Sequence, residues 1–322
     1  MVRLALAILV SLLSTIGVAA QPYPSRPVTM IVPFPAGGPT DALGRILGER
    51  MRQSLGVSIV IENVGGAGGS VGAGRLARAT PDGHTIGIGQ VTSHVFSGAV
   101  YTINFDIVRD FEPIALIASA PQWLLARSGF PASSLAELKA WLQANPDKAS
   151  FATIGSGSPT HVWGVNFANS IGARINFVSY RGGGPVLQDL IAGHVDMGIV
   201  EASFSVAQVQ GGAVKALAVL SSARWRKSPD TPNVDEAGAR GLYLPFWHCL
   251  WAPKGTPAEI VARLNAAVIE TLEDAAIKQK LTDMGQEIYP RAELTPAALA
   301  ATQKAAIDTW WPIIKAARIK PE

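Results

Sequence analysis

Apolar and β-branched residues gather in four short runs, 28–32, 57–61, 151–154 and 176–180, and each is followed by a glycine-rich turn and a stretch of helical period. The turns read PFPAGGPTD, ENVGGAGGS, GSGSPTH and RGGGP. Strand, turn and helix repeated in that order predict an α/β architecture with parallel strands. After the first turn, Leu43, Leu47 and Met51 recur at helical spacing; after the fourth, Val186, Leu187, Leu190 and Ile191 do so ahead of Gly193, with Pro185 at the first helical position.

The four units fall into two pairs separated by residues 106–148, which hold an apolar crossing segment over 113–126 and then a helix. Ser134-Leu135-Ala136-Glu137 has capping-box form and opens that helix. Thr256-Pro257-Ala258-Glu259 and Thr295-Pro296 each place proline just inside a threonine cap, predicting two closing helices. This C-terminal part has too few strands to stand alone, so it is expected to return to the first sheet, with the run 246–251 crossing back. The expected organisation is two α/β lobes, each a mainly parallel sheet flanked by helices, joined by two crossing strands that form a hinge. Lobe 1 is expected to comprise residues 21–122 plus 246–322, and lobe 2 residues 123–245.

Only 16% of the 322 residues are charged, against about 25% in an average soluble domain, and 48% are hydrophobic, which excludes a disordered chain. Lys and Arg number 27 and Asp and Glu 24, a net charge of +3 too small and dispersed for nucleic-acid binding. Residues 1–20 read as a signal peptide: Arg3 precedes an apolar run over 4–10, and Val18-Ala19-Ala20 suits cleavage after Ala20. That run is shorter than the ~20 residues that span a bilayer. Cys249 is the single cysteine, so no internal disulfide forms. Its aromatic surroundings, Phe246-Trp247-His248-Cys249-Leu250-Trp251, read as a buried strand with a core thiol.

A glycine-rich turn lets backbone N–H groups approach a ligand, and the helix that follows adds about half a positive charge at its start. Such turns favour anions, and in parallel α/β sheets they lie where ligands bind, outside the carboxyl ends of the strands. The chain lacks G-x-x-x-x-G-K-[ST], and its nearest dinucleotide pattern, Gly72 to Ala77, falls inside a helix, so no cofactor is expected. Ser156 and Ser158 with His161 do not form G-x-S-x-G, and Ser158 or Thr160 better suits a helix cap. Histidines 84, 94, 161, 194 and 248 show no metal-ligand spacing. Arg181 is the one basic side chain within the four turns; its fork can pair with a carboxylate or be salt-bridged elsewhere. Tyr180 can supply a hydroxyl or an aromatic wall. Asp41 is expected to cap its helix. Glu201, just past an expected strand over 195–200, points toward the cleft, where it can accept from a ligand amine, hydroxyl or protonated acid, or make a hinge contact.

Tyr23-Pro24-Ser25-Arg26-Pro27-Val28 followed by Val32-Pro33-Phe34-Pro35-Ala36-Gly37-Gly38-Pro39-Thr40-Asp41 resembles the mature N-terminus of the tripartite tricarboxylate transporter substrate-binding proteins, also called Bug proteins. The resemblance continues in order through Val60-Ile61-Glu62-Asn63, Pro81-Asp82-Gly83-His84-Thr85, Asp110-Phe111-Glu112-Pro113, Gly155-Ser156-Gly157-Ser158, Tyr180-Arg181-Gly182 and Ala252-Pro253-Lys254-Gly255-Thr256-Pro257. It covers nearly the whole mature chain. It implies a periplasmic protein of the type II Venus-flytrap fold that closes over a small organic carboxylate and delivers it to a large and a small integral-membrane subunit. A monomer is expected, without catalytic activity, and an exported α/β hydrolase or a ligand sensor is the alternative. Carried onto matching positions, Phe34, Ala36, Gly37, Gly38 and Asp41 form the first ligand loop, Ser156 and Ser158 the third, and Tyr180 and Arg181 the fourth. The chain departs from the family in having Arg181 where lysine is usual and Glu201 where aspartate is usual, and 203–212 lacks a common proline.

Overall fold

Strand β1 (Val28–Val32) is fully buried at Val28, Met30 and Val32 and pairs in parallel with β2 (Ile59–Asn63) and β3 (Thr85–Gln90). The computed structural model describes residues 23–319, so the expected signal peptide lies outside the described residues. Helix α1 (Pro39–Leu55) joins β1 to β2 and buries Leu43, Leu47 and Met51 against them. The second strand begins two residues later than the apolar run, because 56–58 serve as the connection out of α1. Helix α2 (Ser70–Ala77) follows the second turn and contains Gly72 to Ala77. A π-helical turn, Thr92–Phe96, and helix α3 (Ser97–Val100) follow β3.

The first sheet has the order β11-β4-β10-β3-β1-β2, with β4 (Phe111–Ser119), β10 (Trp247–Pro253) and β11 (Glu287–Ile288). The second has the order β7-β6-β8-β5-β9, built from β5 (Gln122–Arg127), β6 (Ser150–Thr153), β7 (Asn176–Ser179), β8 (Met197–Glu201) and β9 (Val214–Val219). Both sheets are mixed rather than mainly parallel. β10 runs antiparallel to β3 and β4, and β5 antiparallel to β8 and β9. The reason is topological: a strand arriving from the opposite lobe enters at the carboxyl ends of the parallel strands and must run against them.

The chain crosses from β4 to β5 through Ala120 and Pro121 and returns before β10. The two crossings lie side by side, with Ala120 N donating to Phe246 O at 2.8 Å. One buried cluster continues from Ile31 and Leu76 through Trp247 and Trp251 to Phe151 and Trp163 in the other lobe.

Helix α4 (Leu135–Ala144) is capped as expected, Ser134 Oγ accepting from Glu137 N at 3.2 Å; the Glu137 carboxylate returns to Ser133 N, one residue before the reciprocal partner. Helix α5 (Pro159–Ile171) is capped by Ser158, which accepts from His161 N at 3.3 Å. Helix α6 (Gly183–Ala192) starts two residues early, so Pro185 is its third residue. Val186, Leu187 and Leu190 face the sheet, whereas Ile191, one step further round the helix, is 45% exposed. Helix α7 (Ala202–Gln210) follows β8 directly. Helix α8 (Ala258–Glu273) has no threonine cap, since Thr256 Oγ1 donates to Pro253 O and Pro257 takes the cap position. Helix α9 (Ala275–Asp283) precedes β11, and α10 (Pro296–Ala316) is capped by Thr295 through Ala298 N at 3.1 Å. Gln303 of α10 donates to His94 O and Ile107 O, tying the C-terminal helix to the first lobe. Among the described residues no helix is long and apolar enough to cross a membrane.

Candidate ligand-binding site

The carboxyl ends of the parallel strands of both sheets open onto one cavity of about 800 Å³. The first turn enters its wall through Phe34 to Thr40, the third through Gly155 to Ser158, and the fourth through Arg181 to Gly184. The second turn contributes Gly68 alone. Gln122 and Phe246, from the two crossings, also line it.

Four helices begin at this wall. The residues preceding α1, α5, α6 and α7 are Gly38, Ser158, Gly182 and Glu201, and all four line the cavity. A helix start carries N–H groups outside the helix's own ladder and about half a positive charge, so together the four favour a bound anion. The fourth helix start was not legible as a turn, because β8 passes into α7 without a glycine. Arg181 is the only cation and Glu201 the only acid among the lining residues.

Of the ten candidates, Phe34, Ala36, Gly37, Gly38, Ser156, Ser158, Arg181 and Glu201 meet at the cavity, and Asp41 and Tyr180 do not. Asp41 does not cap α1; it is the third helical residue, buried behind the loop. Its Oδ2 accepts from Gly37 N at 2.8 Å and from Arg45 Nε at 3.0 Å, and its Oδ1 from Asn63 Nδ2 at 2.9 Å. Asn63 also donates to Phe34 O at 3.1 Å, so the acid and the amide hold the first loop in shape from behind. Tyr180 turns away and donates to Asp189 on α6 at 2.7 Å; burial, then that bond, push its hydroxyl up to about 12.

These bonds make Asp41 a test of loop stability. Arg45 first, then Gly37 and Asn63, lower its carboxyl from 3.8 to about 2 against the opposing effect of burial. A carboxyl depressed on folding stabilises above its unfolded pKa and loses that contribution as pH falls through the folded value. Asp41→Asn is therefore expected to cost about 2 kcal/mol at pH 7, the difference fading between about pH 4 and pH 2. Denaturant unfolding of both proteins across that range checks it.

Glu201 ends β8, half-buried at the wall. Ser203 Oγ donates to its Oε1 at 2.7 Å and Gln286 Nε2, from the first lobe, at 3.3 Å. Burial raises its carboxyl above the ordinary range, opposed by the Ser203 bond. Residues not singled out from sequence also line the wall, including Thr40, Gln90, Thr92, Ser97 and Gln122. The signal available for Gln90 and Gln122 was a lone amide at the edge of an apolar strand. His161 Nδ1 accepts from Gly157 N at 3.0 Å, and Ser158 Oγ accepts the His161 backbone N–H, so the ring and hydroxyl are engaged in shaping the turn. Cys249 is buried and burial pushes its thiol far up, as a core position requires.

Two α/β lobes enclosing a cavity ringed by helix starts define a solute-binding protein. The model of the family described as "Tripartite tricarboxylate transporter family receptor" matches residues 43–318. Protein BugT of Bordetella pertussis is 33% identical over 286 residues, covering 87% of this chain and 88% of that protein. MatC from Rhodopseudomonas palustris, solved with bound malate, is 35% identical with a TM-score of 0.80, covering 91% of this chain and 100% of that one. R. palustris Rpa4515, solved with adipate, is 32% identical with a TM-score of 0.81, covering 93% and 100%. The chain belongs to the tripartite tricarboxylate transporter receptor family, of the Bug type.

Proposed function

We propose that this protein captures a small organic carboxylate in the periplasm and delivers it to the large and small integral-membrane subunits of a tripartite transporter. The observation that carries the reading is the convergence of four helix starts and one arginine on a single cavity between the lobes. The malate and adipate held by similar proteins support it. One ligand carboxylate sits against the N-termini of α1 and α5, Arg181 grips a carboxylate as a planar fork, and Glu201 accepts a hydrogen bond from the ligand's other end. Lobe 1, residues 21–122 plus 246–322, and lobe 2, residues 123–245, close about the paired crossings because the ligand touches both. Shifting open to closed from 1:99 to 99:1 requires about 5.5 kcal/mol of differential binding. No bond is broken, and the protein works as a monomer.

The test uses protein lacking residues 1–20, melted with dicarboxylates, tricarboxylates, acidic amino acids and aromatic acids. At least one is expected to raise the melting temperature by mass action. Arg181→Ala is expected to weaken that ligand about tenfold or more, the usual scale of a charged hydrogen bond. No stabilisation across the panel, or ester turnover abolished by Ser156→Ala or Ser158→Ala, would overturn the reading.

A further inference from the structure

The cavity wall in the second lobe has two charged poles. Arg181 and Glu201 each stand three residues beyond one row of paired positions, Val178 on β7, Ala152 on β6 and Gly198 on β8. They therefore reach the same edge of the sheet with β6 between them, about 10 Å apart at two strand spacings. Arg181 is exposed at this edge and pairs with no acid among the described residues. Glu201 takes both of its side-chain bonds, from Ser203 and Gln286, on Oε1, which leaves Oε2 without a bond among the described residues.

Between the poles the wall is apolar. A Cβ on Gly183 would stand 3.9 Å from Val200 Cγ1, and one on Gly184 would stand 4.0 Å from Phe204 Cζ, so these two side chains lie against the start of α6. Phe204 is 56% exposed, more than any other large hydrophobic side chain among the described residues, and it lines the cavity. Phe34 in the first turn and Tyr101 after α3 line the same cavity from the first lobe, and Phe246 from a crossing. An apolar ring open to water beside a cavity gains by being covered, and a planar ring covers it with favourable offset or edge-on contacts.

The charges set the number of carboxylates. The single arginine suits one carboxylate as a planar fork. A second would stand near Glu201, and two carboxylates sharing a site do not both stay ionised, so it would bind only with a proton held between them. A hydroxyl or amine at that end donates to the free Oε2 with no such cost. A linear aliphatic acid reaches both poles but covers less of Phe204. We propose that the ligand is an aromatic monocarboxylate carrying a hydroxyl or amine at the far side of its ring, with the carboxylate at Arg181, the donor at Glu201 and the ring against Phe204. Glu201 and Phe204 are then the residues that set specificity. The proposal rests on the capture of a carboxylate in this cavity, argued above, and names its class.

The test is calorimetric titration of protein lacking residues 1–20, in one buffer, with para-hydroxybenzoate, benzoate, terephthalate and adipate. The hydroxybenzoate is expected to bind about tenfold or more tighter than benzoate, which lacks the donor, and than terephthalate, which puts a second carboxylate in its place. Phe204→Ala is expected to weaken the hydroxybenzoate about fivefold and to leave adipate unchanged. Glu201→Gln offers an amide donor where the acid stood and is expected to shift the preference about tenfold toward terephthalate. Terephthalate or adipate binding the wild type as tightly as the hydroxybenzoate overturns the proposal, needs no variant to fold, and leaves the capture of a carboxylate standing. A preference unmoved in a folded Glu201→Gln protein also overturns it. Binding of none of the four overturns it too, and the capture reading falls with it only if the wider panel of acids gives no stabilisation.

Discussion

Replacing Gly157 by valine is expected to weaken ligand capture about a hundredfold while leaving both lobes folded. Gly157 sits in the third turn with φ at 73°, and a Cβ there would stand 2.4 Å from Val100 Cγ1 and 3.1 Å from its Cγ2. Val100 belongs to α3 of the other lobe, so this turn and that helix touch where the lobes meet. A β-branched residue in the left-handed region costs about 1–2 kcal/mol wherever it stands. Overpacking against Val100 adds about 1–3 kcal/mol, but only while the lobes are together. The second cost is relieved by opening, so the variant populates open forms and the apparent dissociation constant rises as the competent fraction falls. A closed-state cost of about 3 kcal/mol corresponds to roughly a hundredfold. Calorimetric titration with the ligand identified by melting, together with small-angle scattering of the free protein, checks both halves. Unchanged affinity and radius would mean that Val100 yields.

Gly72→Ala is expected to destabilise the first lobe by about 2 kcal/mol, contrary to what helix propensity suggests. Gly72 lies inside α2, where alanine ordinarily gains about 1 kcal/mol over glycine. Here the helix is pressed against the chain leaving β1 and β2. A Cβ would stand 2.6 Å from Val64 O and 2.8 Å from Pro33 Cα. Both are backbone atoms, and Val64 N is itself bonded to Val32 O at 2.8 Å, so neither moves without disturbing the sheet. The cost of overpacking, about 1–3 kcal/mol and occasionally more, exceeds the propensity gain. Thermal unfolding is expected to begin about 4–8 °C lower. A variant melting at or above the parent would show that the segment at Pro33 and Val64 relaxes.

Much of the fold was legible because its signals are local. The apolar runs, the Ser134, Ser158 and Thr295 caps and the burial of Leu43, Leu47 and Met51 at four-residue spacing each depend on residues within one strand, helix or turn. Local pattern misled where two local partners competed. Asp41 has cap chemistry, yet the helix starts at Pro39, so its carboxylate reaches back to Gly37. Thr256 had cap spacing, but its hydroxyl found Pro253 O first. Tyr180 stood beside the fourth turn, and only the placement of Asp189 on α6 decides that its hydroxyl leaves the cavity.

What the amino-acid order determined by itself is the set of strand–turn–helix units, the anion-favouring pattern of the four turns and the resemblance that joins them to one receptor family, because each resides in contiguous residues. The tertiary structure decided which turns meet, that α7 supplies the fourth helix start, that Thr40 reaches His248 and that Gln286 reaches Glu201. The partners in these two pairs lie 208 and 85 positions apart in sequence. No periodicity links them, since they are brought together by two crossings of the hinge, and a buried hydrogen bond gains its strength only once water has been excluded from it.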